Sequence, residues 1–270
     1  MLLLLKLILS PSLVAMVTLA GRRWGTHISG MLVSLPVSAG PVLLFFAFEQ
    51  GSGFAAHAAV GALAGLVATA AYFLVYAWAA MRYGWMVSLL LGTLSYAACT
   101  ALLLAVPLGA EVALLLALAS FALVQRLLPR SQGTVAIAAG VSRLDLPLRM
   151  LAAVCITLAL TGLAQWLGPQ LSGLLTPFPV ATSVIASFTL AQQGRDGTLA
   201  FIRALNGTMY GFCIFCYVLA LTLEPPQPQT IATAFALAIG LQLALGTLLH
   251  FAANHIASMK PARTKRSHTA

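Results

Sequence analysis

Residues 28–51 read ISGMLVSLPVSAGPVLLFFAFEQG, and residues 171–194 read LSGLLTPFPVATSVIASFTLAQQG. At a constant offset of 143, eight of 24 positions are identical: Ser29/Ser172, Gly30/Gly173, Leu32/Leu175, Pro36/Pro179, Val37/Val180, Phe45/Phe188, Gln50/Gln193 and Gly51/Gly194. Two Leu/Ala/Val-rich stretches agree by chance at scattered positions. Chance does not also align the shared Ser-Gly, Pro-Val and Gln-Gly pairs. The chain therefore carries an internal repeat, and a repeat governs how every other element is read.

Both copies lie in a chain of 270 residues that is 61% hydrophobic and 7% charged, with a mean hydropathy of +0.99. A soluble domain has about 25% charged residues, so this composition cannot build a water-facing surface. Crossing the hydrocarbon core takes about 20 apolar residues, and such runs follow one another almost end to end. The expected fold class is an all-α integral membrane protein. Nine spans are predicted, at 2–20, 28–48, 54–80, 84–106, 110–128, 148–167, 171–191, 198–223 and 231–257. Glycines, prolines or charges interrupt the runs between them, as at Gly21–Gly25, Glu49–Gly51, Arg82–Gly84, Pro107–Glu111, Gly168-Pro169 and Glu224–Pro226.

The net charge of +9 has its origin in the loops. Alternating sides along nine spans puts Arg22, Arg23, Arg82, Arg126, Arg130, Arg143, Arg149, Arg195, Arg203, Lys260, Arg263, Lys265 and Arg266 on one face. Only Lys6 falls on the other. This thirteen-to-one bias predicts a cytoplasmic face, with the N-terminus outside and a basic C-terminal tail inside. The basic balance thus belongs to orientation, and nucleic acid is not an expected partner. Arg22 and Arg23 follow the first apolar run instead of preceding it, so that run reads as a retained span and not a cleaved signal. The four cysteines, Cys99, Cys155, Cys213 and Cys216, all sit in apolar stretches, which suits neither a disulfide framework nor a zinc site.

The repeated segments are predicted spans two and seven. An odd separation of five spans makes the copies run in opposite directions, the signature of an inverted-topology repeat. The expected organisation is a first membrane repeat at 1–128, a cytoplasmic linker at 129–147, a second repeat at 148–258 and the tail at 259–270. The halves are unequal, at five spans plus four, because spans four and five have a single counterpart in 231–257.

Both copies contain prolines where a spanning helix should continue. Pro36 and Pro41 in one copy, and Pro177 and Pro179 in the other, each remove a backbone donor. They are expected to free the carbonyls of Leu32, Val37, Gly173 and Leu175. Unpaired backbone persists at membrane depth only where protein or a water-lined cavity satisfies it. Small hydroxyls cluster nearby: Ser29, Ser34 and Ser38, and Ser172, Thr176, Thr182, Ser183 and Ser187. Half-helix N-termini favour an anion, and freed carbonyls favour a cation. The expected solute site is Ser34, Pro36, Ser38, Gly40 and Pro41 with Thr176, Pro177, Pro179, Thr182 and Ser183. The competing reading is a pair of ordinary proline kinks.

Glu49, Gln50, Gln192 and Gln193 close the two copies on opposite faces and are the candidate gates, with plain interfacial turns as the alternative. His57 reads as interfacial, or else as a titrating group in a proton-linked cycle. Asn206 reads as a helix–helix hydrogen bonder. Gly61, Gly65, Gly207 and Gly211 have the small-xxx-small spacing of close helix packing. Cys213-x-x-Cys216 reads as packing despite its redox-like spacing. The five acidic residues, Glu49, Glu111, Asp145, Asp196 and Glu224, all fall at predicted span ends. Without a carboxylate pair, metal cluster or Ser/His/Asp set at depth, neither an enzyme nor a cofactor is expected.

The stretch Ser172-Gly173-Leu174-Leu175-Thr176-Pro177-Phe178-Pro179 resembles the motif of the GlpM-type short bacterial membrane proteins. The likeness covers 171–223 and, more faintly, 28–80, as though two such proteins were joined in tandem. Ser34 and Leu35 depart from it where the second copy has Pro177 and Phe178. The resemblance implies a bacterial inner-membrane setting and names no substrate. The expected function is a secondary transporter for a small anionic or neutral solute, working by alternating access. The partners are the bilayer and the solute, and a homodimer is admissible. The alternative is a non-transporting component that supports envelope polysaccharide or lipid machinery.

Overall fold

The computed structural model describes residues 6–8, 11–12, 15–16, 39–129, 145–224 and 230–259. Regular structure among them is helical throughout, as the bilayer requires of a chain with no closed barrel. The principal helices are α1 (Ala39–Glu49), α2 (Ser52–Ala80), α3 (Trp85–Leu104), α4 (Ala110–Leu127), α5 (Asp145–Leu175), α6 (Val180–Leu223) and α7 (Ile231–Met259). Among the described residues five helices are long and apolar enough to cross a membrane: Ser52–Ala80, Trp85–Leu104, Ala110–Leu127, Thr182–Leu223 and Ile231–Leu248.

Glycine punctuates these helices. Gly84 and Gly109 are the N-caps of α3 and α4. Glu111 in the first turn of α4 and Arg126 in its last complement the helix dipole. Three other glycines have backbones that only glycine adopts readily: Gly51 (φ 93°, ψ 163°), Gly168 (φ 71°, ψ 171°) and Gly194 (φ 71°, ψ −160°). Gly168 breaks α5 into a long arm and the half-helix 169–175. Gly194 breaks α6 into the half-helix 180–193 and an arm over 195–223. Gly51 and Gly194 occupy the same repeat position, and each is followed by 29 helical residues.

Helix α2 is the centre of the bundle. The most apolar window of α2 is 72% buried, against 22% for α3, α4 and α7, so those three present most of their surface outward. Around α2 pack α1, α3, α4, α5 and α6. The contacts of α2 with the segment after Gly168 advance together along both chains. Gly61 meets Gln170 and Gly173, Gly65 meets Leu174 and Pro177, Thr69 reaches Pro177, and Tyr76 reaches Ser187. Residues 170–187 therefore run alongside α2 in the same direction. Between α1 and α2 the chain turns back at Gln50-Gly51, where Phe46 and Phe54 meet edge to face at 5.4 Å.

The spacing of Gly61 and Gly65 delivers the close packing expected of it. A Cβ on Gly61 would lie 2.6 Å from the Gln170 carbonyl oxygen, and one on Gly173 would run into the Ala58 carbonyl. Gly207 and Gly211 do not repeat this. Among the described residues nothing lies within 4 Å of a Cβ placed on Gly207, and Gly211 faces the side chain of Gln242. Cys213 and Cys216 are buried in the core with Phe212 and Phe215, which is packing. Asn206 is buried on α6 and donates to the Phe121 carbonyl (3.0 Å) and Gln125 Oε1 (3.2 Å) of α4, the cross-helix bond expected of it.

Candidate functional site

The site forms where α5 stops and α6 starts. Pro177 and Pro179 cannot donate to the preceding turn, so the helix ends at Leu175 and resumes at Val180, with Pro179 as N-cap. The break expected in the second copy is present. Pro41 lies within the first described turn of α1, next to Gly40, and the helix continues through it. Ser34, Pro36 and Ser38 lie outside the described residues, as do the carbonyls of Leu32 and Val37.

The carbonyls around the second break differ from expectation. Those of Gly173 and Leu175 are not free: they accept the N–H groups of Thr176 (3.0 Å) and Phe178 (3.1 Å) in tightened, i→i+3 turns. The Phe178 carbonyl takes the Val180 N–H at 2.9 Å, and that of Pro179 takes both the N–H (2.8 Å) and the hydroxyl (2.5 Å) of Ser183. Two more carbonyls are capped from other helices. Tyr96 of α3 donates to Leu174 O at 2.6 Å, and the Thr69 hydroxyl of α2 lies 3.1 Å from both Pro177 O and the Gly65 carbonyl of its own helix, between which its one proton is shared. An unpaired carbonyl in a dry interior costs several kcal/mol, and here neighbouring hydroxyls and 3₁₀ turns reduce that cost. The carbonyls of Gly173, Leu174, Leu175, Phe178 and Pro179 are thus engaged and poorly placed to hold a bare cation.

What the break retains is a wall of hydroxyls. Tyr72 and Tyr76 stack at 5.7 Å, and Tyr96 meets Phe178 edge to face at 4.9 Å. The Tyr72 ring lies flush on Gly92 of α3, where a Cβ would come within 2.8 Å of it. Its hydroxyl faces Ser183 in a loose contact that falls short of a well-formed hydrogen bond, although Tyr72 is only 1% exposed. The Ser172 hydroxyl is buried without a partner, and that of Thr100 is buried facing Tyr96 without a well-formed hydrogen bond, each within about a helical turn of residues that cap or flank the break. A buried polar group left unpaired costs about 1–3 kcal/mol. Tyr76 reaches Ser187 only at 3.4 Å.

Of the predicted site residues, the structure brings Thr176, Pro177, Pro179 and Ser183 together, with the partly exposed Thr182 beside them. Sequence reasoning missed Thr69, Tyr72, Tyr76, Tyr96 and Thr100. The signal was available: Thr69, Tyr72 and Tyr76 form one polar stripe on an apolar helix, and Tyr96 and Thr100 are one turn apart on another. A polar stripe in such a helix has to face protein or a cavity.

A separate cavity of about 480 Å³ opens at the other end of α2, lined by His57, Gly61, Glu111, Gln170 and Glu224 among others. The crossing of Gly61 with Gln170 and Gly173 stands between this vestibule and the hydroxyl cluster. His57 is exposed there, its Nδ1 2.8 Å from the Gly53 carbonyl. Of the candidate gates, Glu49 forms an ion pair with Lys6 at 2.7 Å, and Gln50 occupies the turn before Gly51. Gln192 and Gln193 are exposed just before Gly194, the latter packing against Gly197. Because Ser187 sits beside Tyr76, these two glutamines lie toward the opposite end of α2 from Glu49.

The class defined by this fold and site is a helical membrane protein with a discontinuous helix and a buried hydroxyl cluster at its break. Comparison with protein-family models, curated proteins and solved structures returns no match.

Proposed function

We propose that this chain is a secondary transporter of the bacterial inner membrane that binds a small neutral or anionic solute at the break between α5 and α6. The observation that carries this reading is the Tyr72 hydroxyl, buried opposite the start of a half-helix with only a loose contact to Ser183 and no well-formed hydrogen bond. Native interiors seldom leave such groups unpaired, and a solute hydroxyl or anionic oxygen would pair it. With most of the break's carbonyls engaged, what is chiefly on offer is hydroxyl groups and the positive end of a helix dipole. That inventory suits a neutral polar or anionic ligand over a metal cation.

The directions of the elements support alternating access between inverted halves, 1–128 and 148–258. Helix α1 leads into the turn at Gly51 and residues 170–187 run with α2, so the two copies point opposite ways. Matching 29-residue helices after Gly51 and Gly194 support the same relation. The vestibule supplies an entrance from the face bearing Glu111 and Glu224, closed below by the glycine crossing. Arg203 reaches the carbonyls of Leu128 (3.2 Å) and Pro129 (3.0 Å), which gathers basic chemistry at the other end. This supports an external N-terminus and a cytoplasmic tail, the orientation expected from the positive-inside bias.

The test is a thermal-stability screen of the purified protein against polyols, sugars, zwitterions and small anions. A ligand at 100 times its Kd stabilises the folded state by about 2.7 kcal/mol. A compound that raises the melting temperature of the wild type but not of Tyr72→Phe, and that enters proteoliposomes, supports the proposal. Stable co-purification with envelope machinery and no ligand-induced shift would support the scaffold alternative.

A further inference from the structure

The one basic residue that departs from the positive-inside pattern, Lys6, is also the most completely bonded. Its ammonium is 2.7 Å from both oxygens of Glu49 and 2.8 Å from the Thr161 hydroxyl. Three donors meet three acceptors. Thr161 in turn donates to the Thr157 carbonyl at 2.6 Å, which turns its oxygen toward the lysine. Lys6 also lies over the Phe45 ring, 5.6 Å from its centre, and is only 7% exposed. Glu49 is partly exposed, at 19%, so the pair is half-buried, and separating it leaves the more deeply placed ammonium without its counter-charge.

The position of the pair gives it a role. Lys6 comes from the first repeat, Glu49 ends α1 immediately before the turn at Gly51, and Thr161 sits on the long arm of α5, seven residues before Gly168. The contact therefore ties the Glu49 end of the first half to the arm that carries the half-helix flooring the vestibule. Two of the three glycines with exceptional backbones, Gly51 and Gly168, flank the tied elements. The second copy lacks the acid, since Gln192 occupies the repeat position of Glu49. We infer that the Lys6–Glu49–Thr161 contact is an electrostatic latch that holds α1 against the α5 arm and so keeps the crossing beneath the vestibule closed, and that its release accompanies opening of that crossing. This builds on the alternating-access reading and adds an asymmetry to it: the position matching Glu49 in the second copy is the uncharged Gln192.

The test is hydrogen–deuterium exchange on the full-length protein in lipid nanodiscs, for the wild type, Lys6→Ala, Glu49→Gln and the swap Lys6→Glu/Glu49→Lys. The latch predicts at least tenfold faster exchange over residues 40–50 and 158–168 in both single variants, unchanged exchange over 85–104, and recovery toward wild type in the swap. Unchanged exchange in the singles overturns it, as does acceleration spread over the whole chain. If a single variant fails to accumulate, the swap decides: wild-type exchange supports the latch, and failure of the swap overturns it. No solute enters the measurement, so an absent latch and an absent transport activity give separate results.

Discussion

Helix α2 and the second arm of α6 begin as the same element and end as different ones. Each follows a glycine with positive φ at the same repeat position, and each runs for 29 residues. Along α2 the inward positions are Gly61, Gly65, Thr69, Tyr72 and Tyr76. At offset 143 the other helix has Ala204, Thr208, Phe212, Phe215 and Leu219. One helix is built to approach a broken backbone closely and to cap its carbonyls. Its counterpart fills space with rings and the thiols of Cys213 and Cys216. Side-chain chemistry at matching sequence positions thus differs, and the hydroxyl-lined break among the described residues lies against α2.

The most damaging way to break this comparison is Gly173→Leu. Its Cβ would occupy the place of the Ala58 carbonyl oxygen, which no rotamer relieves. Overpacking of this kind costs about 3 kcal/mol or more. We expect loss of the monodisperse folded species in detergent, read by size-exclusion chromatography. Gly207→Leu, with open space around its position, should stay folded. Next in size are Gly51→Ala and Gly194→Ala, which should each cost about 1–3 kcal/mol from backbone strain alone. Similar melting shifts in the two would show that the repeat is shared at the level of the turn, and a large inequality would argue against it.

A smaller effect comes from giving the apolar helix the polar group that its counterpart carries. Phe215→Tyr puts a hydroxyl at a fully buried position among Phe212, Phe235 and the two thiols. Without a partner that group should cost about 1–3 kcal/mol. A neutral result in chemical denaturation would reveal an unrecognised acceptor there. Tyr96→Phe is the reverse experiment on the hydroxyl-lined side. It removes the donor to the Leu174 carbonyl and should cost about 1–2 kcal/mol, chiefly by leaving that carbonyl dry.

These contrasts show what could be read in advance. Membrane class, the break at Pro177–Pro179, the packing at Gly61 and Gly65 and the cross-helix bond of Asn206 are all local consequences of residue type and spacing. The state of the carbonyls was not legible, because it depends on which hydroxyls other helices bring within 3 Å. Proline arithmetic identifies Gly173 and Leu175 as deprived of donors, but local 3₁₀ turns supply replacements, and the carbonyls reached from outside are Leu174 and Pro177 instead. Lys6 shows the same limit. Counting charges marks it as the exception, and only tertiary contact reveals that Glu49 and Thr161 neutralise it.

The smallest expected change in stability is the most informative about function. Tyr72 and Tyr96 are both buried tyrosines facing the same break, yet the Tyr96 hydroxyl is bonded at 2.6 Å while that of Tyr72 has only a loose contact with Ser183. Removing a hydroxyl so weakly held sacrifices little hydrogen bonding and relieves a desolvation cost. Tyr72→Phe should therefore melt within about 0.5 kcal/mol of wild type, or slightly above it. If the cluster holds a solute, the same variant should lose its ligand-induced stabilisation and slow uptake by about tenfold, the effect of one hydrogen bond of about 1.4 kcal/mol. Tyr96→Phe should do the opposite, losing stability while keeping most of the ligand response. A Tyr72→Phe variant that melts well below wild type would mean that the hydroxyl has a structural partner, and the site would then have to be sought away from this break.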